Sequence, residues 1–268
     1  MKSAAEAKLQ PIERSSIAPS PARIWTELSI LFRIQFAIIR DTWVWVVLMA
    51  TMFPLTTLLF MRFFIENPTK EAMIQIIAGN MIFGLLVMGL NAMAQEISWQ
   101  KHDGHFTFYA SLPIAKLNFV IAILLRGLMS TVPSFVLLAL FGQWMYDIQF
   151  HFSWALPLVA ILALASVVGI GVCMGFWSPN HQLTNMLAQA LMMLITFLSP
   201  VMVSIDQLPL PIQWISYLLP TTYAAEALRG SMLIGWTHDV MINCIVLLGF
   251  AVVSISATLK LANWRISK

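Results

Sequence analysis

Few side chains in this sequence carry the chemistry to act on a substrate, and their spacing limits what they can do. His102 and His105 stand three residues apart. A zinc centre needs three or four ligands, and no third ligand is at hand, so the pair predicts no metal site. Cys173 and Cys244 both lie inside apolar runs. That is neither a disulfide framework nor a metal pattern, and both read as small apolar fillers. Glu226 and Arg229 are three residues apart in a helical stretch, the spacing of a local ion pair. His181 and His238 are the nearest histidines to Glu226, and they form no protease motif with it. No phosphate-cradling G-x-x-x-x-G-K-[ST] occurs, nor G-x-G-x-x-G, G-x-S-x-G or H-E-x-x-H. The sequence predicts no catalytic residue. Any work on a substrate must draw on a gradient or on a partner chain.

A gradient-driven carrier usually needs titratable groups deep in its spans. Glu96 and Asp206 fall at the ends of apolar stretches, and Arg126 sits well inside one. An isolated Arg at the centre of a span costs about 2.5–3.5 kcal/mol on the insertion scale, so it snorkels or pairs. Arg126 lies ten residues past Lys116, a rise of about 15 Å in a helix. The preceding span carries Asn91, Gln95 and Glu96 near the same end. Arg126 is expected to bond to this polar set and to fix the helical hairpin that bears the intervening loop.

The elements that must hold these groups follow from composition. Of 268 residues, 59% are hydrophobic and only 10% are charged, with a mean hydropathy of +0.82. A soluble domain carries about 25% charged residues. So few charges cannot cover a water-exposed surface, which excludes a soluble enzyme or a nucleic-acid module. The pI near 9.0 reflects a net charge of only +3, spread along the chain. A span needs about 20 mostly apolar residues. Six stretches qualify: 42–64, 72–94, 117–141, 152–177, 183–203 and 240–262. Residues 1–20 mix Ser, Ala, Pro and charge without an apolar core, and read as a disordered cytoplasmic tail rather than a signal peptide. With both termini inside, eleven Lys and Arg residues fall on the cytoplasmic side and three outside. That asymmetry sets the orientation and the even number of spans. Trp43 and Trp45 suit an interfacial aromatic belt.

Three segments break the run of plain spans. In residues 21–40, Ile24, Leu28, Leu31, Phe32, Ile38 and Ile39 recur at helical spacing between Arg23, Glu27, Arg33 and Arg40, with Pro21 suited to the first turn. This predicts an amphipathic helix in the cytoplasmic interface. Residues 98–113 form the longest cytoplasmic loop, mixing charge with Phe106, Phe108 and Tyr109. Those aromatics point to a docking surface for a partner. Residues 207–236 are apolar but cut by Pro209, Pro211, Pro220 and Gly230. They predict two short helices, 210–219 and 222–233, forming a re-entrant hairpin that enters from outside. Gly171 and Gly175 make a G-x-x-x-G step in the fourth span, read as close packing within one chain rather than a dimer seam.

These features resemble the type-2 permeases of ATP-binding-cassette (ABC) exporters, from about Arg23 to the C-terminus. The strongest motif is LSPVMVSIDQLPLPIQWISYLLPTTYAAEALRG at 198–230. It is similar to the family's Ser-Pro step, its proline-bounded amphipathic segment and its Pro-x-x-Tyr-x-x-x-x-x-Arg pattern, with Pro220, Tyr223 and Arg229 at those positions. The loop also resembles the family's: Lys101, Asp103, Gly104, Leu112 and Pro113 fit, whereas Gln100 and His102 stand where acids are usual and His105 where a hydroxyl is usual. The resemblance implies an all-α integral membrane protein with six transmembrane helices, an N-terminal interface helix and a re-entrant hairpin. It implies that Gln100, Lys101, His102, Asp103, Gly104, His105, Phe106 and Phe108 belong to a coupling element seated in an ATPase. It also implies a pair of permease chains, expected to be identical, with two ATPase subunits that carry the ATP and Mg. The cargo is expected to be a hydrophobic or amphipathic molecule, exported across a bacterial inner membrane. Membrane lipid is the other expected partner, and nucleic acid is not one. A gradient-driven carrier and an intramembrane enzyme are the competing classes.

Overall fold

The computed structural model describes residues 21–64, 69–106, 109, 114–146, 154–201 and 205–262, with the side chains of 21–23, 42, 61, 62 and 64 excepted. The tail 1–20, Phe108, Leu112 and Pro113 lie outside the described residues. Every α, π or 3-10 element among them is helical, and no strand is present among them.

Helix α1 runs from Pro21 to Phe64, 44 residues, about 66 Å long. Helix α2 (Lys70–Leu85) begins at an N-cap, where the Thr69 hydroxyl accepts from the Ala72 N–H at 3.3 Å. It continues through a π-helical turn, Leu86–Ala92, into α3 (Met93–His102), so that Lys70–His102 is one 33-residue rod. Helices α4 (Lys116–Tyr146), α5 (Ala155–Trp177) and α6 (His181–Leu198) follow. After a short 3-10 turn, α7 (Leu210–Ser216) and α8 (Pro220–Leu233) form a helical pair, and α9 (His238–Leu261) closes the bundle.

The rod from Lys70 to His102 is the centre of the bundle. Of its apolar window 83% is buried, against 22% for the window of α1 and 33% for that of α9. Helix α5 packs against it through the two expected glycines. A Cβ on Gly171 would stand 2.5 Å from the Leu90 carbonyl oxygen, and one on Gly175 2.7 Å from that of Ala94. Only glycine lets the backbones approach so closely. The G-x-x-x-G step is therefore packing within the chain, and the π turn of the rod is the surface it meets.

Among the described residues, five helices are long and apolar enough to cross a membrane: the outer part of α1, the rod, α4, α5 and α9. The fifth expected span, 183–203, appears as α6, which is 18 residues long and opens with His181, Gln182, Asn185 and Gln189. Those residues keep it outside that group.

Several expected boundaries move. The first span and the helix over 21–40 are one uninterrupted α1. Arg40, Asp41 and Thr42 contain neither Gly nor Pro, and so nothing in the backbone breaks the helix there. The loop expected at 98–113 starts later, because α3 extends through His102. Ser98, Gln100 and Ala94 are buried in the packing of that last stretch of the rod.

The short pair forms as the prolines dictate. Pro220 occupies the first turn of α8, where its missing N–H costs nothing, and Leu219 before it is extended at φ −102°, ψ 132°. Helix α7 accordingly stops at Ser216, ahead of the expected 219, and α8 starts at Pro220 rather than 222.

Candidate functional site

The end of the rod at His102 gathers most of the polar side chains expected to matter. Arg126 on α4 is 8% exposed. Its Nη2 lies 2.9 Å from Glu96 Oε1 on α3, and its Nη1 donates to Gln35 Oε1 on α1 at 3.1 Å. Gln100 donates to the same Glu96 oxygen at 2.7 Å. Gln35 in turn donates to the Tyr109 hydroxyl at 3.5 Å. Burial holds the Tyr109 phenol above its usual range, while the nearby Arg126 guanidinium pulls the other way. Of the expected polar set, Glu96 thus binds Arg126, whereas Asn91 and Gln95 bond to each other at 2.7 Å.

Sequence reading missed Gln35 and assigned Tyr109 to docking rather than to this cluster. Gln35 follows Leu28 and Leu31 at helical spacing, on the stripe that α1 turns inward, and both Leu31 and Gln35 are about 1% exposed. An amide on a buried stripe is the signal that a partner waits across the contact.

Lys101 is also committed inside the chain. Its Nζ donates to the carbonyls of Phe176 at 3.0 Å and Ser178 at 2.9 Å, at the C-terminal end of α5. A cation there answers both the unpaired carbonyls and the negative end of the helix dipole. Thr184 on α6 donates to Ser98 on α3 at 2.8 Å. The last turns of α3 are therefore bonded to α1 through Arg126 and Gln35, and directly to α4, α5 and α6.

The aromatic residues correct an expectation. Phe106 and Tyr109 are 8% and 5% exposed, not a docking surface. Phe106 stacks on Phe176 with centroids 5.3 Å apart and meets the fully buried Phe119 edge-on at 5.8 Å. Their apolar area is removed from water by the ends of α4 and α5. Among the described residues of this stretch, the turn His102, Asp103, Gly104 and His105 is exposed, with Trp99 just before it. The Asp103 N–H bonds back to the Trp99 carbonyl at 2.9 Å, ending the helix. Gly104 then takes φ +76°, which an L side chain rarely adopts, while the space around it is open. Of the eight residues assigned to coupling, Gln100, Lys101 and Phe106 thus face inward, four form the exposed turn, and Phe108 is outside the described residues.

On the first half of α1, Glu27 accepts from the Asn118 amide at 2.9 Å and from the Ala115 N–H at 3.2 Å. It thereby clamps the start of α4. Arg33 is exposed, and Arg40 lies 3.5 Å from Asp41 on the surface. The Arg23 side chain is outside the described residues.

At the short helical pair, Arg229 reaches back to the end of α6, donating to the carbonyls of Pro200 and Val201, the latter at 3.3 Å. Thr222 donates to the Ser216 carbonyl at 2.6 Å, and its oxygen lies 3.3 Å from that of Ser199. Tyr223 donates to the Tyr217 carbonyl at 2.9 Å. Pro220 is buried and Glu226 half-buried. The geometry of this corner is a lock of hydroxyls and a guanidinium on the backbone carbonyls of Pro200, Val201, Ser216 and Tyr217.

The bundle of long apolar helices, the buried polar end and the exposed turn define a multi-pass membrane protein. The family model described as ABC-2 type transporter matches residues 26–233, from within the first turns of α1 to the end of α8. The chain belongs to the ABC-2 type transporter family. It is a membrane component of transport, not itself catalytic, of a kind that normally works with an ABC ATPase. The comparison with curated proteins finds no match.

Proposed function

We propose that this chain is the permease half of an ATP-driven exporter, with six spans, both termini cytoplasmic and α7–α8 re-entering from outside. Two copies pair, and each engages one ATPase subunit, which holds the ATP and Mg. The cargo is a hydrophobic or amphipathic small molecule or lipid, moved out across a cell membrane of the bacterial inner-membrane type. The carrying observation is the turn His102–His105, exposed at the tip of a rod whose last turns are bonded to the neighbouring helices. A push on that turn is transmitted to α1, α4, α5 and α6 through fixed contacts. A nucleotide-driven partner moves such a bundle only through a difference in affinity for its two states.

Pairing has its own support. Helix α6 leaves Gln182, Asn185 and Gln189 exposed on one side, next to Met186 and Met193. Amides facing hydrocarbon are costly. A second copy or a water-filled path between copies relieves that cost.

The test is co-purification with a candidate ATPase in lipid, followed by ATP turnover. Gly104→Val forces a branched residue into left-handed backbone at a strain of roughly 1–2 kcal/mol, in otherwise open space. Permease-stimulated turnover is expected to collapse while the unfolding temperature falls by only a few degrees. Unchanged complex and turnover after replacement of residues 102–105 would sink the assignment of this turn to coupling.

A further inference from the structure

The face between α5 and α9 carries an open apolar groove of about 400 Å³. Its walls run from Ile170 to Trp177 on α5 and from Phe250 to Leu261 on α9, with Cys173 and Ala257 between. The Ser254 hydroxyl in its wall is turned back onto the Ala251 carbonyl at 2.9 Å, so the lining's remaining donors are the weak Cys173 thiol and the Trp177 indole at one end. Between its ends the groove is almost wholly apolar and suits a hydrocarbon chain better than a polar ligand.

The length fits one leaflet. Phe250 to Leu261 spans eleven residues, a rise of about 16 Å. Half of a bilayer core is about 15 Å. One end of the groove is chemically marked. Trp177, 61% exposed, and Leu261 both stand where α5 and α9 terminate. Lys260 follows Val253 and Ala257 at helical spacing, so it borders the groove at this end. It is exposed and makes no ion pair or hydrogen bond among the described residues. Lys101, at the same end, is consumed by the α5 carbonyls. Helix α5 carries no acidic residue, and the acid on α9, Asp239, is at its other end. A second copy of this face would therefore offer Lys260 no counter-charge, while an anionic headgroup would.

We propose that the α5–α9 groove seats one acyl chain of an anionic phospholipid from the leaflet at the Lys260 end, with the lipid phosphate on Lys260 and the glycerol level with Trp177. The inference rests on the membrane-spanning class of the chain and not on the direction of transport or its cargo. The indole at the mouth and the cation beyond it follow the order of an interface: hydrocarbon, aromatic belt, charge.

The experiment uses the purified full chain in detergent, with phosphatidylglycerol and phosphatidylcholine of identical acyl chains as probes. Native mass spectrometry counts retained lipid. One phosphatidylglycerol per chain is expected to be held with a preference of about fivefold over phosphatidylcholine, the factor that one basic residue near an anionic surface supplies. Lys260→Gln should erase the preference, and Ala257→Trp should lower retention of both lipids. Thermal unfolding of each variant checks that it is folded. Should Ala257→Trp misfold, acyl-brominated phosphatidylglycerol replaces it. Its quenching of tryptophan fluorescence in the wild type should exceed that in Trp177→Phe by the share of one indole near the bromine. Equal retention of the two lipids, an unchanged preference in Lys260→Gln, or equal quenching with and without Trp177 would overturn the proposal. So would an Ala257→Trp variant that turns a dimer into a monomer and leaves lipid retention untouched, since a second copy would then be the occupant.

Discussion

Arg126 and Arg229 are both withdrawn into an apolar bundle, yet they are answered in different currencies. Arg126 meets side chains: the Glu96 carboxylate and the Gln35 amide, from two other elements. Arg229 meets mainly backbone: it donates to the carbonyls of Pro200 and Val201, where α6 has ended and a proline has left acceptors open, with the Glu226 carboxylate also acting on its charge. The first arrangement ties three helices by specific partners and fails if any one is changed. The second ties a helix end to a helix face through groups that no substitution removes. The end of the molecule that is proposed to receive force is thus built of interdependent side chains, and the opposite corner is built around backbone.

The largest effect expected from this contrast is at Arg126. Arg126→Leu leaves Glu96 and Gln35 facing an apolar side chain. Breaking a buried pair by removing one partner costs about 3–5 kcal/mol. The Glu96 side chain is 27% exposed, so solvent recovers part of that, and about 2–3 kcal/mol is expected. Thermal unfolding in a fixed detergent reads it. Arg126→Leu combined with Glu96→Leu should lose less than Arg126→Leu alone, because the orphaned carboxylate is gone. Wild-type unfolding and turnover in Arg126→Leu would remove the cluster from the account of coupling.

Next is the substitution that separates the two arginines. Arg126→Lys should rescue little, since an ammonium cannot hold Glu96 and Gln35 at once with the planar fork of a guanidinium. Arg229→Lys should keep much of the wild-type stability, because carbonyls accept from any cation that reaches them. Arg229→Met should lose about 1.5–3 kcal/mol, the range for hydrogen bonds to a charged group. Equal rescue by lysine at both sites would dissolve the contrast.

The same contrast explains what could be read from sequence. Glu96 was legible as the partner of Arg126 because both are polar groups at matching height in neighbouring helices, and helix rise converts sequence spacing to height. Gln35 was not, because it stands 91 residues from Arg126, and only the packing of α1 on α4 brings them together. Proline positions gave the two short helices within a few residues, since proline acts on local backbone. The carbonyls that hold Arg229 and Lys101 were invisible for the opposite reason. Every residue has a carbonyl, so no residue type marks the open ones. The loop aromatics misled because an aromatic residue has the same signature whether it fills a core or docks a partner. Phe106 is decided by Phe119 and Phe176, which stand 13 and 70 residues further along the chain.

The smallest expected effect tests whether backbone-held cations at the receiving end behave like Arg229 or like Arg126. Lys101 uses one nitrogen on two carbonyls of α5, the chemistry of Arg229 placed beside the network of Arg126. Lys101→Met keeps the aliphatic stem and removes the cation, at a cost of about 1–2 kcal/mol for charged hydrogen bonds that water partly replaces at a half-buried site. If the lysine acts only as a cap, the loss should be confined to α5, and amide exchange should rise at its last turn, near Phe176 and Ser178. If it also holds the rod, exchange should rise in the turn at Asp103 and Gly104 as well, and permease-stimulated ATP turnover should fall with it. The second pattern is expected, because Lys101 precedes that turn by two residues and spans the gap between the two helix ends. Exchange that rises at α5 alone, with turnover unchanged, would place Lys101 with Arg229 as a local lock and leave the Arg126 cluster as the link from the turn to the bundle.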